Sequence, residues 1–295
     1  MDFFEILKAI ILGIVEGVTE WLPVSSTGHL IILDEFLKLK VGLDDAVFRA
    51  EFLEMFNVVI QLGAILAVVV LFFDKLNPIS KSKSAQEKKQ TLGLWLRVLV
   101  ASLPAAFVGL LLDKLLEKLS GKDIDGWLYN SFVVAAALII YGVLFIIIER
   151  FNKKREAKIN SLSDISLLSA LLIGVFQMLA IIPGTSRSGS TILGSMLIGV
   201  SRPVAAEFSF FMAIPAMLGA SFIKLLGFFE YTSEAAVAVP FDAWVVLAVG
   251  CIVAFAVSML AIKFLMEFVR RHSFAPFGVY RIALGALVLL YFIIK

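Results

Sequence analysis

The sequence is poor in charge and poorer still in cysteine and histidine. Charged residues make up 17% of the chain against 60% hydrophobic, whereas a soluble domain is nearer a quarter charged and half apolar. One or two globules could not hide that much apolar surface. A soluble enzyme, a disordered chain and an extended nucleic-acid binder are therefore excluded. The one cysteine, Cys251, has no partner for an intramolecular disulfide, so the redox compartment is unread. A net charge of +2 gives no hint of an acidic partner. The amino terminus carries Asp2, Glu5 and Lys8 and lacks the basic start and small-residue cleavage site of a signal peptide. The first segment is expected to be retained. What the chain does have is length and apolarity: 295 residues at a mean hydropathy of +0.98. It reads as an all-α, polytopic membrane protein, a single integral-membrane domain over 1–295.

A spanning helix needs about 20 mostly apolar residues. Uncharged runs near that length lie at 55–73, 126–148, 165–186 and 243–262, with shorter ones at 98–112, 208–223 and 282–294. About six transmembrane helices are expected. The amino-terminal stretch is different. Apolar residues 9–15 meet Glu16, Glu20 and the polar segment Pro23-Val24-Ser25-Ser26-Thr27-Gly28-His29 before a short apolar piece, Leu30 to Leu33. That pattern predicts a broken helix, and non-helical backbone survives at membrane depth only when buried in protein or lining a wet cavity.

The second half repeats the scheme. Gly13-Ile14-Val15-Glu16 followed by Pro23 and Ser26 resembles Gly174-Val175-Phe176-Gln177 followed by Pro183 and Ser186, with one residue of slippage. Trp95 and Ala105 match Trp244 and Ala254. Basic clusters at 74–97, 149–164 and 263–272 belong in the cytoplasm by the positive-inside rule. The path through them makes 6–37 and 165–201 enter and leave from opposite faces. Each half, 1–150 and 160–295, is then one re-entrant helical hairpin plus three spans. An odd number of spans inverts the second copy, as in many transporters.

Few residues carry chemistry at depth. Glu16 and Glu20 share a helix face, and a charge there costs about 2.5–3.5 kcal/mol on insertion scales. Acid–base work, a divalent-metal site (Mg or Ca) held by Glu16 and Glu20, or orientation of a neighbouring base are all open for the pair. Ser25, Ser26 and Thr27 supply hydroxyls at an expected helix N-terminus, which favours a bound phosphate. Ser26 and His29 can share a face, and a serine beside a histidine is an activated nucleophile. Arg187 is alone in an uncharged stretch from Ile165 to Val200, and its planar fork suits a phosphate. Ser186, Ser188 and Thr191 add donors. Asn57, Gln61, Gln177, Glu207 and Arg281 read as interhelical glue, Gly13 and Gly17 as close-packing positions, and the phenylalanines mostly as lipid-facing.

Glu16–Glu20 with Leu22-Pro23-Val24-Ser25-Ser26-Thr27-Gly28-His29, and Pro183-Gly184-Thr185-Ser186-Arg187-Ser188-Gly189-Ser190-Thr191, resemble the two signatures of the undecaprenyl-diphosphate phosphatases of the bacitracin-resistance type. The resemblance spans nearly the whole chain. It implies a multi-pass enzyme of the bacterial inner membrane that hydrolyses undecaprenyl diphosphate to undecaprenyl phosphate and inorganic phosphate. That step recycles the carrier for peptidoglycan synthesis and confers bacitracin resistance. It further implies that Glu20, Ser26, His29 and Arg187 are catalytic and that no organic cofactor or nucleic acid takes part. The expected mechanism has Ser26 attack phosphorus with His29 as base, Glu20 orienting His29, and Arg187 holding the diphosphate; His29 as nucleophile is the rival. The topology leans toward a site opening to the outer face. Oligomeric state is left open, a homodimer included. A transporter or flippase of isoprenoid phosphate lipids is the alternative, which the Ser26–His29 pair disfavours. Lipid phosphatases with a Pro-Ser-Gly-His segment do not match, since no histidine follows Ser186-Arg187 within a dozen residues.

Overall fold

A computed structural model describes residues 2–41, 45–121, 128, 130–153 and 155–294. Eleven α-helices are found among them: α1 (Phe3–Thr19), α2 (Ser26–Phe36), α3 (Ala46–Leu71), α4 (Phe73–Leu76), α5 (Ala85–Ser120), α6 (Ser131–Asn152), α7 (Leu167–Gln177), α8 (Arg187–Leu197), α9 (Arg202–Glu234), α10 (Phe241–Arg271) and α11 (Ala275–Ile294). Six of them, α3, α5, α6, α9, α10 and α11, are long and apolar enough to cross a membrane. The protein is an all-α, multi-pass membrane protein. Polar residues set the helix starts, since the first N–H groups have no partner within the helix. Asp2, Asp45, Asn130 and Ser166 cap α1, α3, α6 and α7 in this way. Pro104 and Pro215 lie inside α5 and α9, as spanning helices tolerate.

Six of the seven apolar runs fall on these long helices. The run at 165–186 does not, although it is among the longest. It becomes the 11-residue α7, a 3-10 turn over Met178–Ile181 and a polar turn into α8. Both α2 and α8 have 11 residues, about 16 Å at 1.5 Å per residue, against a hydrocarbon layer of roughly 30 Å. The polar segments therefore sit between short helices, as the broken pattern predicts.

Packing crosses between the halves. Helix α1 lies on α10, which also packs against α3; α7 lies on α5; α3 meets α9 and α6 meets α11. Small residues permit these approaches. A Cβ on Gly13 would stand 2.7 Å from the Gly250 carbonyl oxygen, one on Gly17 2.8 Å from that of Ala254, and one on Gly174 2.2 Å from that of Ala101. The tightest crossing is α3 on α10, where a Cβ on Gly63 would reach 2.0 Å from the Cys251 oxygen. Gly63→Ala should therefore lower the unfolding midpoint in detergent by an amount equivalent to about 1–3 kcal/mol of overpacking. Gly109→Ala, whose Cβ meets nothing within 4 Å, should leave the midpoint within a degree or raise it, alanine being the better helix former.

The phenylalanines divide: Phe107, Phe132, Phe222 and Phe264 are exposed on the long helices, as expected, whereas others are not. Phe48, Phe52, Phe56, Phe208, Phe210 and Phe211 are sealed inside the bundle. Phe52 meets Phe56 at a tilt and Phe228 edge-on, and Phe72 meets Phe210 at a tilt and Phe211 edge-on. Lipid gives helices no hydrophobic reason to associate, so interhelical contact depends on van der Waals packing. Large flat rings filling the gaps supply it.

Candidate active site

Two polar turns meet in the middle of the bundle, one between α1 and α2, the other between α7 and α8. Ser25 and Ser186 are the N-caps of α2 and α8. Both have left-handed φ, 73° and 69°, a conformation that costs a non-glycine residue of order 1–3 kcal/mol. Each hydroxyl repays part of that by accepting a backbone N–H three residues on, from Gly28 at 3.3 Å and from Gly189 at 3.1 Å. Ser25 thus corresponds to Ser186, and Ser26 to Arg187. The slipped sequence match of Ser26 with Ser186 is one residue out, because it paired the prolines instead of the strained caps. With the caps aligned, Gly13 and Gly174, and Glu16 and Gln177, keep the same spacing without slippage.

The two corresponding first-turn residues converge on one carboxylate. Ser26 Oγ donates to Glu20 Oε2 at 3.0 Å, and Arg187 Nη2 donates to Glu20 Oε1 at 2.9 Å. Ser188 Oγ donates to the Glu20 backbone oxygen at 3.1 Å. Arg187 also donates to the Ser209 carbonyl at 2.9 Å, while its Nε has no partner. Thr191 is tied to the Ser209 hydroxyl at 2.7 Å, and Ser186 to Ser188 at 3.1 Å. A cavity of about 390 Å³ opens on the group, lined by Glu20, Ser26, Thr27, Ser186 and Arg187 with Gln61 and Gln177.

His29 lies apart from this group. Its Nδ1 is 2.7 Å from the Ser25 carbonyl and its Nε2 2.6 Å from the Tyr280 hydroxyl, with the two rings stacked at 9°. A carbonyl only accepts, so Nδ1 carries the proton and, in the neutral ring, Nε2 accepts from Tyr280. Both nitrogens are thus occupied, and Glu20, not His29, receives the Ser26 hydroxyl. The expected Ser26–His29–Glu20 relay is not the arrangement found. Glu16 is fully buried, and its ionisable neighbours are Glu20 and Arg187. No group of three His, Cys, Asp or Glu side chains is set to hold a metal among the described residues. Two carboxylates together with substrate phosphates are nonetheless a sufficient donor set for magnesium.

Arg281 ties the turns to each other. It is completely buried and donates to the backbone oxygens of Pro23 (3.2 Å), Gly184 (2.7 Å) and Thr185 (2.9 Å). Glu207 pairs with Lys75, so these two polar residues act as the glue expected of them. Gln61 and Gln177, read the same way, line the cavity instead. Ser209, Tyr280 and the Tyr141 ring beneath Arg281 escaped the sequence reading. A serine and two tyrosines in apolar runs carry no signal there, except that Tyr280 adjoins a buried arginine.

Comparison with known proteins converges on one group. The family model described as bacitracin resistance protein BacA matches residues 9–287. A protein of Enterococcus faecalis named undecaprenyl-diphosphatase is 53% identical over 98% of both chains. Undecaprenyl-diphosphatase 1 of Clostridioides difficile is 51% identical over 99% of this chain and 97% of its own. A Lactococcus lactis protein named undecaprenyl-diphosphatase is 52% identical over 99% and 97% respectively.

Proposed function

The chain belongs to the bacitracin resistance protein BacA family, and from that premise we propose that it hydrolyses undecaprenyl diphosphate to undecaprenyl phosphate and inorganic phosphate. The observation that carries the chemistry is the Glu20 carboxylate held between the Ser26 hydroxyl and the Arg187 guanidinium at the edge of a cavity. Ser26 attacks the terminal phosphorus and gives its proton to Glu20. The bond from that phosphorus to the bridging oxygen breaks, and undecaprenyl phosphate leaves. Water then cleaves the phosphoserine to release phosphate. Arg187 and the helix N-terminus at Ser186 stabilise the negative charge on the transferring group, the largest share of catalysis in phosphoryl transfer. Ser25, Thr27, Ser188 and Thr191 shape and support the phosphate subsite. His29 holds the carbonyl of the strained Ser25 and so fixes where Ser26 points. Glu16 and Glu20 would hold a divalent cation, whose chemistry is neutralisation of phosphoryl oxygens.

The protein acts in the bacterial inner membrane, recycling the lipid carrier for peptidoglycan, and its site opens to the outer face. The two short-helix pairs are re-entrant hairpins, and the halves 1–150 and 160–295 form an inverted repeat. Matched caps at Ser25 and Ser186, and the crossing of Gly13 on Gly250 echoed by Gly174 on Ala101, support that reading. The basic loops support the orientation. A protease should cleave the segment 77–84, between α4 and α5, only from the cytoplasmic side of sealed vesicles; cleavage from outside would reverse the topology.

Purified protein given undecaprenyl diphosphate should release phosphate, and rapid quenching during turnover should trap the label on Ser26. Ser26→Ala should lose at least about 100-fold in kcat, as expected when a nucleophile is removed and water must substitute. Label on His29 would install the imidazole as nucleophile; transport of the lipid without phosphate release would favour the carrier reading.

A further inference from the structure

Gln177 ends α7 and lines the cavity that Glu20, Ser26 and Arg187 share. It is only 4% exposed, and its Oε1 accepts no hydrogen bond. Leaving a buried amide oxygen unmet costs roughly 1–3 kcal/mol, so stability alone would place an apolar side chain here. The corresponding residue of the other half is Glu16, likewise buried. One half therefore presents a carboxylate at this position and the other a neutral amide of the same shape. That difference follows the charges nearby. Glu20 already lines the cavity with Glu16 buried behind it, and a carboxylate at Gln177 would be a second one facing any anion held by Arg187.

Resting on the phosphatase reading above, we propose that Gln177 is a diphosphate-binding residue. Its Nε2 group donates to a non-bridging oxygen of the phosphoryl group that Arg187 holds, and its Oε1, which a phosphoryl oxygen cannot satisfy, is left to accept from the water that later cleaves the phosphoserine. Its neutrality keeps negative charge away from that group. A carboxylate in the same place would accept only and would repel the substrate.

The test uses the full-length protein in detergent with undecaprenyl diphosphate as substrate and inorganic phosphate as competitive inhibitor. Gln177→Glu should raise KM about 30-fold or more, the result of setting like charges against each other, and raise the phosphate inhibition constant in parallel. Its kcat should stay within about threefold, since binding shared by ground and transition states does not set kcat. Gln177→Met, of similar length but unable to bond, should raise KM about tenfold, the loss of one hydrogen bond. It also carries the test if the glutamate variant does not fold. Wild-type KM and phosphate inhibition in these variants would overturn the assignment. So would loss of kcat or of thermal stability at unchanged KM, which marks a structural role. Wild-type protein that released no phosphate would instead overturn the phosphatase reading, and this proposal with it.

Discussion

Arg187→Ala should lower phosphate release from undecaprenyl diphosphate by about three orders of magnitude or more, the range seen when an arginine that stabilises a transferring phosphoryl group is removed. The guanidinium has five N–H donors. Two bonds, to Glu20 and to the Ser209 carbonyl, hold it in place, and each terminal nitrogen keeps a second donor. Fixed on one side by protein and open on the other to the cavity, the fork needs no reorganisation when charge develops on phosphorus. Arg187→Lys tests this. Lysine keeps the charge but is a point donor on a flexible stem, so it should recover only about a tenth to a hundredth of the activity. Removing the arginine also leaves Glu20, 7% exposed, without its counter-ion, a loss that destabilises a buried pair by several kcal/mol. Arg187→Ala combined with Glu20→Gln should therefore regain thermal stability over Arg187→Ala alone while staying inactive. Activity in Arg187→Ala within tenfold of wild type would show that the arginine serves only to join the two turns.

That pairing shows what the sequence could and could not disclose. Glu16, Glu20 and Arg187 were legible because a charge stands out against apolar neighbours, and the same contrast located the six spans. The sequence could also flag Ser26, since hydroxyls beside prolines in a membrane segment need a reason. It could not say which base Ser26 meets. Ser26 and His29 are three residues apart on α2 and so share its face, but the Ser25 carbonyl and Tyr280 turn the imidazole away from the serine. Tyr280 is 251 residues from His29, and nothing local to either residue predicts the contact. The register of the two turns was hidden for a different reason. A left-handed φ is ordinarily marked by glycine, and here serines occupy it, so the prolines offered the more visible but wrong match. Gln61 and Gln177 were misread because an amide looks alike in sequence whether it faces another helix or a cavity.

Arg281→Met should have the largest effect on folding of any single change in the chain, leaving little protein in the membrane or a midpoint far below wild type. The residue is buried completely and forms no ion pair among the described residues; its bonding partners are three backbone carbonyls, and its guanidinium lies 5.4 Å over the Tyr141 ring. Bonds of this charge-assisted kind are worth about 1.5–3 kcal/mol each. Their loss is compounded because Pro23, Gly184 and Thr185 are buried, and carbonyl oxygens left unpaired there carry a further cost. These oxygens belong to both turns, so one side chain holds the relative position of Ser25–Ser26 and Ser186–Arg187. Nearby space is limited as well. Gly184 has φ of +90°, and a Cβ there would lie 2.6 Å from the Val134 oxygen, so the turn cannot collapse to find substitutes. Arg281→Lys separates the two roles. An ammonium can meet the carbonyls of one turn but lacks the fork to reach both. It should fold with a reduced midpoint and lose kcat with little change in KM, because the Ser26 and Arg187 sides of the site drift apart while each phosphate donor survives. Should Arg281→Lys keep full kcat at a lowered midpoint, the arginine would be a folding clamp alone, and the alignment of the two turns would rest on the Arg187–Glu20 pair.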